Sequence, residues 1–240
     1  MFFTKKRTYK QHYNEKDSFY KYSSPKFTEQ QALSENLNTD ICIVGGGLTG
    51  ISAALNLADQ GYNVCIVEAN QIGSGASGRN GGQLGIGMRK DQLYLESKFG
   101  FEKAEFFWNI GLDAVKNVTN LISKYNIDCA LKPGILHAGN TKKDYKYFLE
   151  EIEHMKSKYS YDNYEYFDEN SIKDEVNTDQ YYSGLLTNDS FHLNPLKLTY
   201  GLANQCLNKG ISIFENSPID KIEEKDNNIL LFSKNAVIKS

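Results

Sequence analysis

No apolar run in this chain approaches the ~18 residues of a membrane span. The N-terminus, Met-Phe-Phe-Thr-Lys-Lys-Arg, lacks the apolar stretch of a secretory signal. Only four of the 240 residues are cysteine, scattered at 42, 65, 129 and 206 with no Cys-x-x-Cys pair. They fit a reducing, cytoplasmic compartment. The four histidines (His12, His137, His154, His192) have no metal-ligand spacing, so no metal is expected. No serine sits in Gly-x-Ser-x-Gly. An excess of positive charge is also missing: the formal net charge is −3, which argues against nucleic acid as a partner. Arginine is scarce, with three (Arg7, Arg79, Arg89) among 27 basic residues. What remains is an ordinary globular composition, 40% hydrophobic and 24% charged, long enough for one large domain or two small ones.

The strongest signal present is residues 40–68. An apolar run, Ile41-Cys42-Ile43-Val44, reads as a buried strand. Gly45, Gly47 and Gly50 follow with the spacing Gly-x-Gly-x-x-Gly, and a helical pattern runs from Ile51 to Gln60 and stops at Gly61. A second apolar run, Val64 to Val67, ends on Glu68, eighteen residues beyond Gly50. An acid about 20 residues on is what a dinucleotide-binding strand–helix–strand unit requires. In that geometry Gly45 permits the tight turn, Gly47 lets backbone approach a pyrophosphate, and Gly50 lets helix pack on strand. The helix N-terminus favours phosphate, and Glu68 accepts from ribose hydroxyls. The agreement among these elements favours a ligand site over an empty glycine turn.

Elsewhere the pattern is coarser. Residues 1–39 form a polar, aromatic-rich arm. Its first 26 residues carry seven basic groups against two acids, and it reads as a solvated tail lying on the domain. Two helices are expected between 89 and about 126. A bent strand or strand pair is expected from Cys129 to Ala138 around Pro133-Gly134, then a polar helix from Asp144 to Lys158. Short strands follow at Tyr164–Phe167 and Gly184–Thr187. A helix should start at Pro195 and end near Asn208, before Gly210. Strands at Ile211–Phe214, Ile219–Glu223 and Ile229–Phe232 close the pattern. The chain stops at Ile238-Lys239-Ser240, where a further buried strand is expected to begin, which reads as a truncated chain.

A second motif is Gly73-Ser-Gly-Ala-Ser-Gly-Arg-Asn-Gly-Gly-Gln83. Its small residues allow close approach of backbone to a ligand. Arg79 stands out in a chain that uses lysine by default. A planar fork that holds phosphate is one role only arginine fills; pairing with a nearby carboxylate is the alternative.

With both motifs in place, the sequence resembles the D-amino-acid-oxidase-type FAD-dependent oxidoreductases, and within them the gamma-glutamylputrescine oxidoreductase branch. The likeness continues through Tyr125–Cys129, Lys132–Leu136, Tyr182–Leu186 and Phe191–Leu198, and includes the aromatic leader Ser18-Phe19-Tyr20 with Tyr22. It implies an α/β fold: a Rossmann-like FAD-binding domain interleaved with a mixed-sheet α+β substrate domain, the C-terminal part missing. The implied organisation is an arm at 1–39, an FAD-binding unit with its Gly-rich loop at 40–88, the first part of the substrate domain at 89–190, and a return to the FAD-binding domain at 191–240. FAD would be held non-covalently. Gly45, Gly47 and Gly50 would cradle its pyrophosphate and Glu68 its ribose. Ser77, Arg79 and Asn80 would continue the phosphate and ribitol contacts, and Gly81, Gly82 and Gln83 would pass close to the ring.

The implied reaction is oxidation of an amine C–N bond, as in gamma-glutamylputrescine. Hydride passes to the flavin, the imine is hydrolysed, and oxygen or another electron acceptor reoxidises the flavin. Such chemistry needs no acid or nucleophile from the chain, and no catalytic residue can be named. His192 lies in the one region with potential activity, but a structural histidine at a domain crossover is the favoured reading. Asp168-Glu169 and Asp174-Glu175 read as solvated helix-end charges. Alternatives are an oxidase or dehydrogenase of sarcosine, glycine or a D-amino acid, an NAD-dependent dehydrogenase, and an inactive fragment.

Overall fold

The computed structural model describes residues 18–240; the basic residues Lys5 to Lys16, Arg7 and His12 lie outside the described residues. In chain order the elements are α1 (Phe19–Ser23), β1 (Leu37–Asn38), β2 (Ile41–Val44), α2 (Leu48–Asp59) and β3 (Val64–Val67). A 3-10 turn (Ala76–Gly78) and β4 (Gln83–Leu84) come next, then α3 (Gln92–Phe99), α4 (Phe101–Lys124), β5 (Lys132–Gly139) and α5 (Lys142–Tyr159). The rest are β6 (Tyr164–Phe167), α6 (Ser171–Val176), β7 (Ser183–His192), α7 (Pro195–Asn208), β8 (Ser212–Phe214), β9 (Ile219–Lys225), β10 (Asn228–Ser233) and β11 (Val237–Lys239).

The chain divides into two compact units. One runs through Arg79 and resumes at Pro195–Ser240; the other is Asn80–Asn194. The first holds a parallel sheet in the order β2-β3-β8, with Cys42 opposite Cys65 and Val67 opposite Phe214. Strand β3 is central and fully buried, as a strand covered on both faces must be. Strand β2 was expected to be buried but is at the sheet edge: it is only half-covered, and Val44 is 55% exposed. Helices α2 and α7 pack on this sheet through Ile51, Ala54 and Leu55 and through Leu202, Ala203 and Cys206, all buried. Each large aliphatic among them contributes roughly 1.5–3 kcal/mol by leaving water. Pro195 is the first residue of α7 because a missing N–H costs nothing there.

The same unit carries a second sheet, β1-β11-β10-β9, in which β1 runs parallel to β11 and the other pairs are antiparallel. The end of the chain thus supplies a strand, β11, whose Ile238 is fully buried. The arm does lie on its unit from Ser18 onward. Leu33 is buried with Val67, Leu231 and Ile238, and Phe27 stacks on Tyr200 at 5.2 Å.

In the second unit β7 is the hub, pairing antiparallel with β4, β5 and β6. It runs ten residues, well past the four expected, because partners on both sides extend its ladder. Strand β5 does bend at Pro133-Gly134: its register against β7 shifts between Pro133 and Ile135, with Gly134 at φ +88°. Helix α5 starts at Lys142, two residues before the expected Asp144, because Thr141 and Asp144 form a capping box. Asp168 accepts from the Ser171 N–H and hydroxyl and from the Asn170 N–H at the start of α6, and these bonds hold its carboxyl below the ordinary carboxylate value. Trp108, Met155 and Tyr161 are buried together, with the two rings edge-on at 5.0 Å.

Candidate functional site

The glycine turn follows from β2. Gly45 takes φ +112°, which a side chain disfavours, and its N–H donates to the Val67 carbonyl at 2.8 Å. Gly47 is the N-cap of α2, and its carbonyl accepts the Ile51 N–H at 3.0 Å. The N–H groups of Leu48, Thr49 and Gly50 precede that first intrahelical bond and point out of the helix end. A Cβ on Gly50 would overlap the Gly45 carbonyl oxygen and lie 3.1 Å from Ile43, so the helix rests directly on the strand. Gly46, an unspecified position of the motif, is just as tight: a Cβ there would collide with Ile72 and stand 3.2 Å from the Glu68 Cβ.

Around this turn lies a cavity of about 220 Å³, lined by Gly46, Gly47, Glu68, Asn70 and the stretch Gly73 to Ser77. The Gly46 N–H donates to Glu68 Oε2 at 2.7 Å, and the Asn70 N–H donates to Oε1 at 2.8 Å. Each oxygen retains a second acceptor direction for a hydroxyl. The Leu48 N–H donates to Ser77 Oγ at 3.0 Å, so the Gly-rich loop caps the helix that the glycine turn opens. The result is a helix N-terminus with its partial positive charge, an acid two backbone bonds deep, and small residues on the far wall. These residues fit the phosphate and ribose of a dinucleotide.

The other expected site residues fall in different places. Arg79 lines a much smaller cavity with Lys21, Gln71 and Tyr200, and its Nε donates to the Ser74 carbonyl at 2.7 Å. That bond ties it to the wall of the glycine cavity without placing its guanidinium among the lining residues. Asn80, Gly81, Gly82 and Gln83 belong to the Asn80–Asn194 unit. There Asn80 Oδ1 accepts the Gly82 N–H at 2.8 Å, the Gly82 carbonyl accepts from Leu193, and Gln83 opens β4 opposite His192. His192 Nδ1 donates to the Gly134 carbonyl at 3.1 Å, a structural bond across the bend in β5. Among the described residues no group of histidine, cysteine, aspartate or glutamate could hold a metal ion, and no helix is long and apolar enough to cross a membrane.

One residue escaped sequence reading altogether. Glu215, 2% exposed, accepts the Ile72 N–H with Oε1 and the Gln30 N–H with Oε2, both at 2.7 Å. It fixes the start of the Gly-rich loop and the arm at once. Nothing in Phe214-Glu215-Asn216 marks it locally; a lone glutamate after a short strand reads as surface.

Comparison with known proteins agrees with this geometry. Residues 40–237 match the model of the FAD dependent oxidoreductase family. The chain belongs to this family. It is 35% identical to gamma-glutamylputrescine oxidoreductase of Escherichia coli K12 over 206 residues, which cover 86% of this chain and 48% of that protein. Among solved structures it is similar to glycine oxidase from Bacillus cereus (TM-score 0.64, 20% identity, 84% of this chain and 53% of that one). It is also similar to an L-amino acid deaminase from Proteus myxofaciens (TM-score 0.68, 20% identity, 89% and 46%). These two likenesses speak for the fold. The chain spans about half the length of the curated relatives it matches. FAD is the cofactor of the family, and the fold is its Rossmann-like α/β fold.

Proposed function

We propose that the protein holds FAD non-covalently at the Gly45–Gly50 turn and takes part in oxidising an amine C–N bond of a gamma-glutamylputrescine-like substrate. The observation that carries the reading is the 220 Å³ cavity in which the α2 N-terminus, Glu68 and Ser77 meet. The identity of 35% to a gamma-glutamylputrescine oxidoreductase supports the substrate class. FAD, when bound, supplies the hydride acceptor. The chain's own residues bind and orient. Gly45, Gly47 and Gly50 leave the helix end open to a pyrophosphate. Glu68, held by the Gly46 and Asn70 N–H groups, keeps its remaining acceptor directions for ribose hydroxyls. Ser77, on the wall of the same cavity, would extend the phosphate contacts. The unit containing Gly45 is the FAD-binding domain in this reading, and Asn80–Asn194 is the substrate domain. Oxygen or another acceptor takes the electrons in a cytoplasmic setting.

The test is a titration of FAD into the purified chain, followed by flavin fluorescence, with NAD as the control. Saturable FAD binding without NAD binding is the expected result; its absence overturns the cofactor assignment. Peroxide release and dye reduction are then compared for gamma-glutamylputrescine, sarcosine, glycine and D-alanine. Faster turnover of any of the last three moves the substrate to that branch of the family.

A further inference from the structure

Between α1 and β1 the arm forms neither helix nor strand, so its buried backbone donors need partners elsewhere in the fold. Two of them end on one short segment. The Gln30 N–H donates to Glu215 Oε2 at 2.7 Å, and the Leu33 N–H donates to Ser217 Oγ at 2.8 Å. Both acceptors are buried, Glu215 at 2% exposure and Ser217 at 4%. The Ser217 hydroxyl donates in turn to the Glu215 carbonyl at 2.8 Å, which joins the two into one node.

The same segment holds the loop that walls the glycine cavity. Glu215 Oε1 accepts the Ile72 N–H at 2.7 Å. The Asn216 N–H donates to the Asn70 carbonyl and the Ser217 N–H to the Glu68 carbonyl, both at 2.8 Å. The next N–H after Ile72, that of Gly73, donates to the Gly46 carbonyl at 3.2 Å. Ile72, 1% exposed, is thus clipped between Glu215 and the glycine turn. A direct tie runs from arm to loop as well: Lys21 Nζ donates to Gln71 Oε1 at 3.1 Å. Glu68, Asn70 and Gly73 all line the cavity.

The Glu215 carboxylate is therefore fixed from two sides. With the arm lifted away, Oε2 loses the Gln30 N–H, only the Ile72 bond orients the side chain, and the loop it holds gains freedom. A ligand in the cavity acts in the opposite sense. It orders the loop, keeps the Ile72 N–H in place and holds Glu215 aimed at Gln30. Two events that order the same group favour each other, and the effect is reciprocal. We propose that FAD in the Glu68 cavity and docking of the arm are coupled through Glu215 and Ser217, with Glu215 as the positioning residue. The bound cofactor locks the arm, and an undocked arm weakens the cofactor. This rests on the cofactor reading of Gly45–Gly50.

Trypsin is added to the full chain under native conditions, with and without saturating FAD. Cleavage at Lys21 and Lys26 is compared with cleavage at Lys234, which is exposed between β10 and β11 of the same unit. Lys234 reports any general stabilisation by a bound ligand. FAD should slow cleavage at the two arm lysines by about fivefold or more beyond its effect at Lys234. Ser217→Ala removes the hydroxyl that holds Leu33 and keeps the N–H that holds Glu68; it should weaken FAD binding severalfold. Glu215→Gln keeps the size of the side chain but loses one acceptor. It should weaken FAD binding and reduce the selective protection of the arm together. A glutamate with a structural role alone would lower stability and leave that protection ratio unchanged. Circular dichroism reports whether each variant folds; if neither does, the protection ratio of the parent chain decides. Equal protection at all three lysines, or unchanged FAD affinity in the folded variants, overturns the proposal while the cofactor site stands. Absence of saturable FAD binding by the parent chain overturns the cofactor reading and this inference with it.

Discussion

Glu68 Oε2 accepts the Gly46 N–H at 2.7 Å, so the acid that ends the second strand of the motif is bonded to the turn that ends the first. Its other oxygen holds the Asn70 N–H at 2.8 Å. The carboxylate therefore shapes the cavity besides facing it. Glu68→Gln keeps the size of the side chain but replaces one acceptor by a donor. One backbone N–H loses its partner, and stability should fall by about 1–3 kcal/mol. Urea denaturation measures this, and FAD titration should show weaker binding in parallel. Unchanged stability would mean that the two bonds do not hold in solution.

Gly47 and Ser77 are coupled through one oxygen. Ser77 Oγ caps α2 by accepting from Leu48, and a Cβ on Gly47 would stand 2.8 Å from it. Gly47 itself has φ −91° and ψ 177°, which alanine adopts freely. The cost of Gly47→Ala therefore falls on the cap, roughly 0.5–2 kcal/mol. Ser77→Gly loses the same cap. The double variant should cost less than the two single losses added, by about 0.5 kcal/mol or more. Strict additivity in chemical denaturation would refute the shared-oxygen account.

Glu215→Ala removes the partner of two N–H groups, Gln30 and Ile72, at a site 2% exposed. The expected loss is roughly 3 kcal/mol or more, since both bonds are to a charged acceptor. The arm should also loosen. Tryptic cleavage at Lys21 and Lys26 should accelerate under native conditions relative to the parent chain. A variant that loses stability with no change at these two lysines would show that the arm is held by Leu33 and Phe27 instead.

Cys206 is fully buried between α7 and α2, and burial pushes its thiol up from 9.0 to about 12. The folded chain keeps this proton at a pH where the unfolded chain loses it. Its contribution to stability is therefore complete below pH 9 and declines as pH rises from 9 toward 12, by up to about 1.4 kcal/mol per pH unit. The difference in unfolding free energy between the parent and Cys206→Ala, measured at pH 8, 9 and 10, should shrink accordingly. A difference that stays constant with pH would rule this out. Iodoacetamide at pH 8.5 should label Cys206 only after denaturation.

What the sequence by itself determined was local. The strand–turn–helix–strand of residues 40–68 is legible because three glycines, two apolar runs and an acid must each fall at a set spacing, and they do. Helix α7 could be delimited from Pro195 and Gly210 because both act on the backbone within one turn. The bend in β5 is written in Pro133-Gly134 for the same reason. The tertiary structure decided everything that depends on a distant partner. Val44 is exposed because β2 is an edge strand, and no property of Ile-Cys-Ile-Val says which side of a sheet will be covered. β1 and β11 are strands because Leu37 meets Ile238 across about two hundred residues. Glu215 looks like a surface charge until the fold brings it the Gln30 and Ile72 N–H groups. Ser77 looks like a loop residue until it caps a helix that begins 29 positions earlier. Backbone conformation is set by neighbours in the chain. Burial and hydrogen-bond partners are set by which segments pack together, and only the folded chain specifies those.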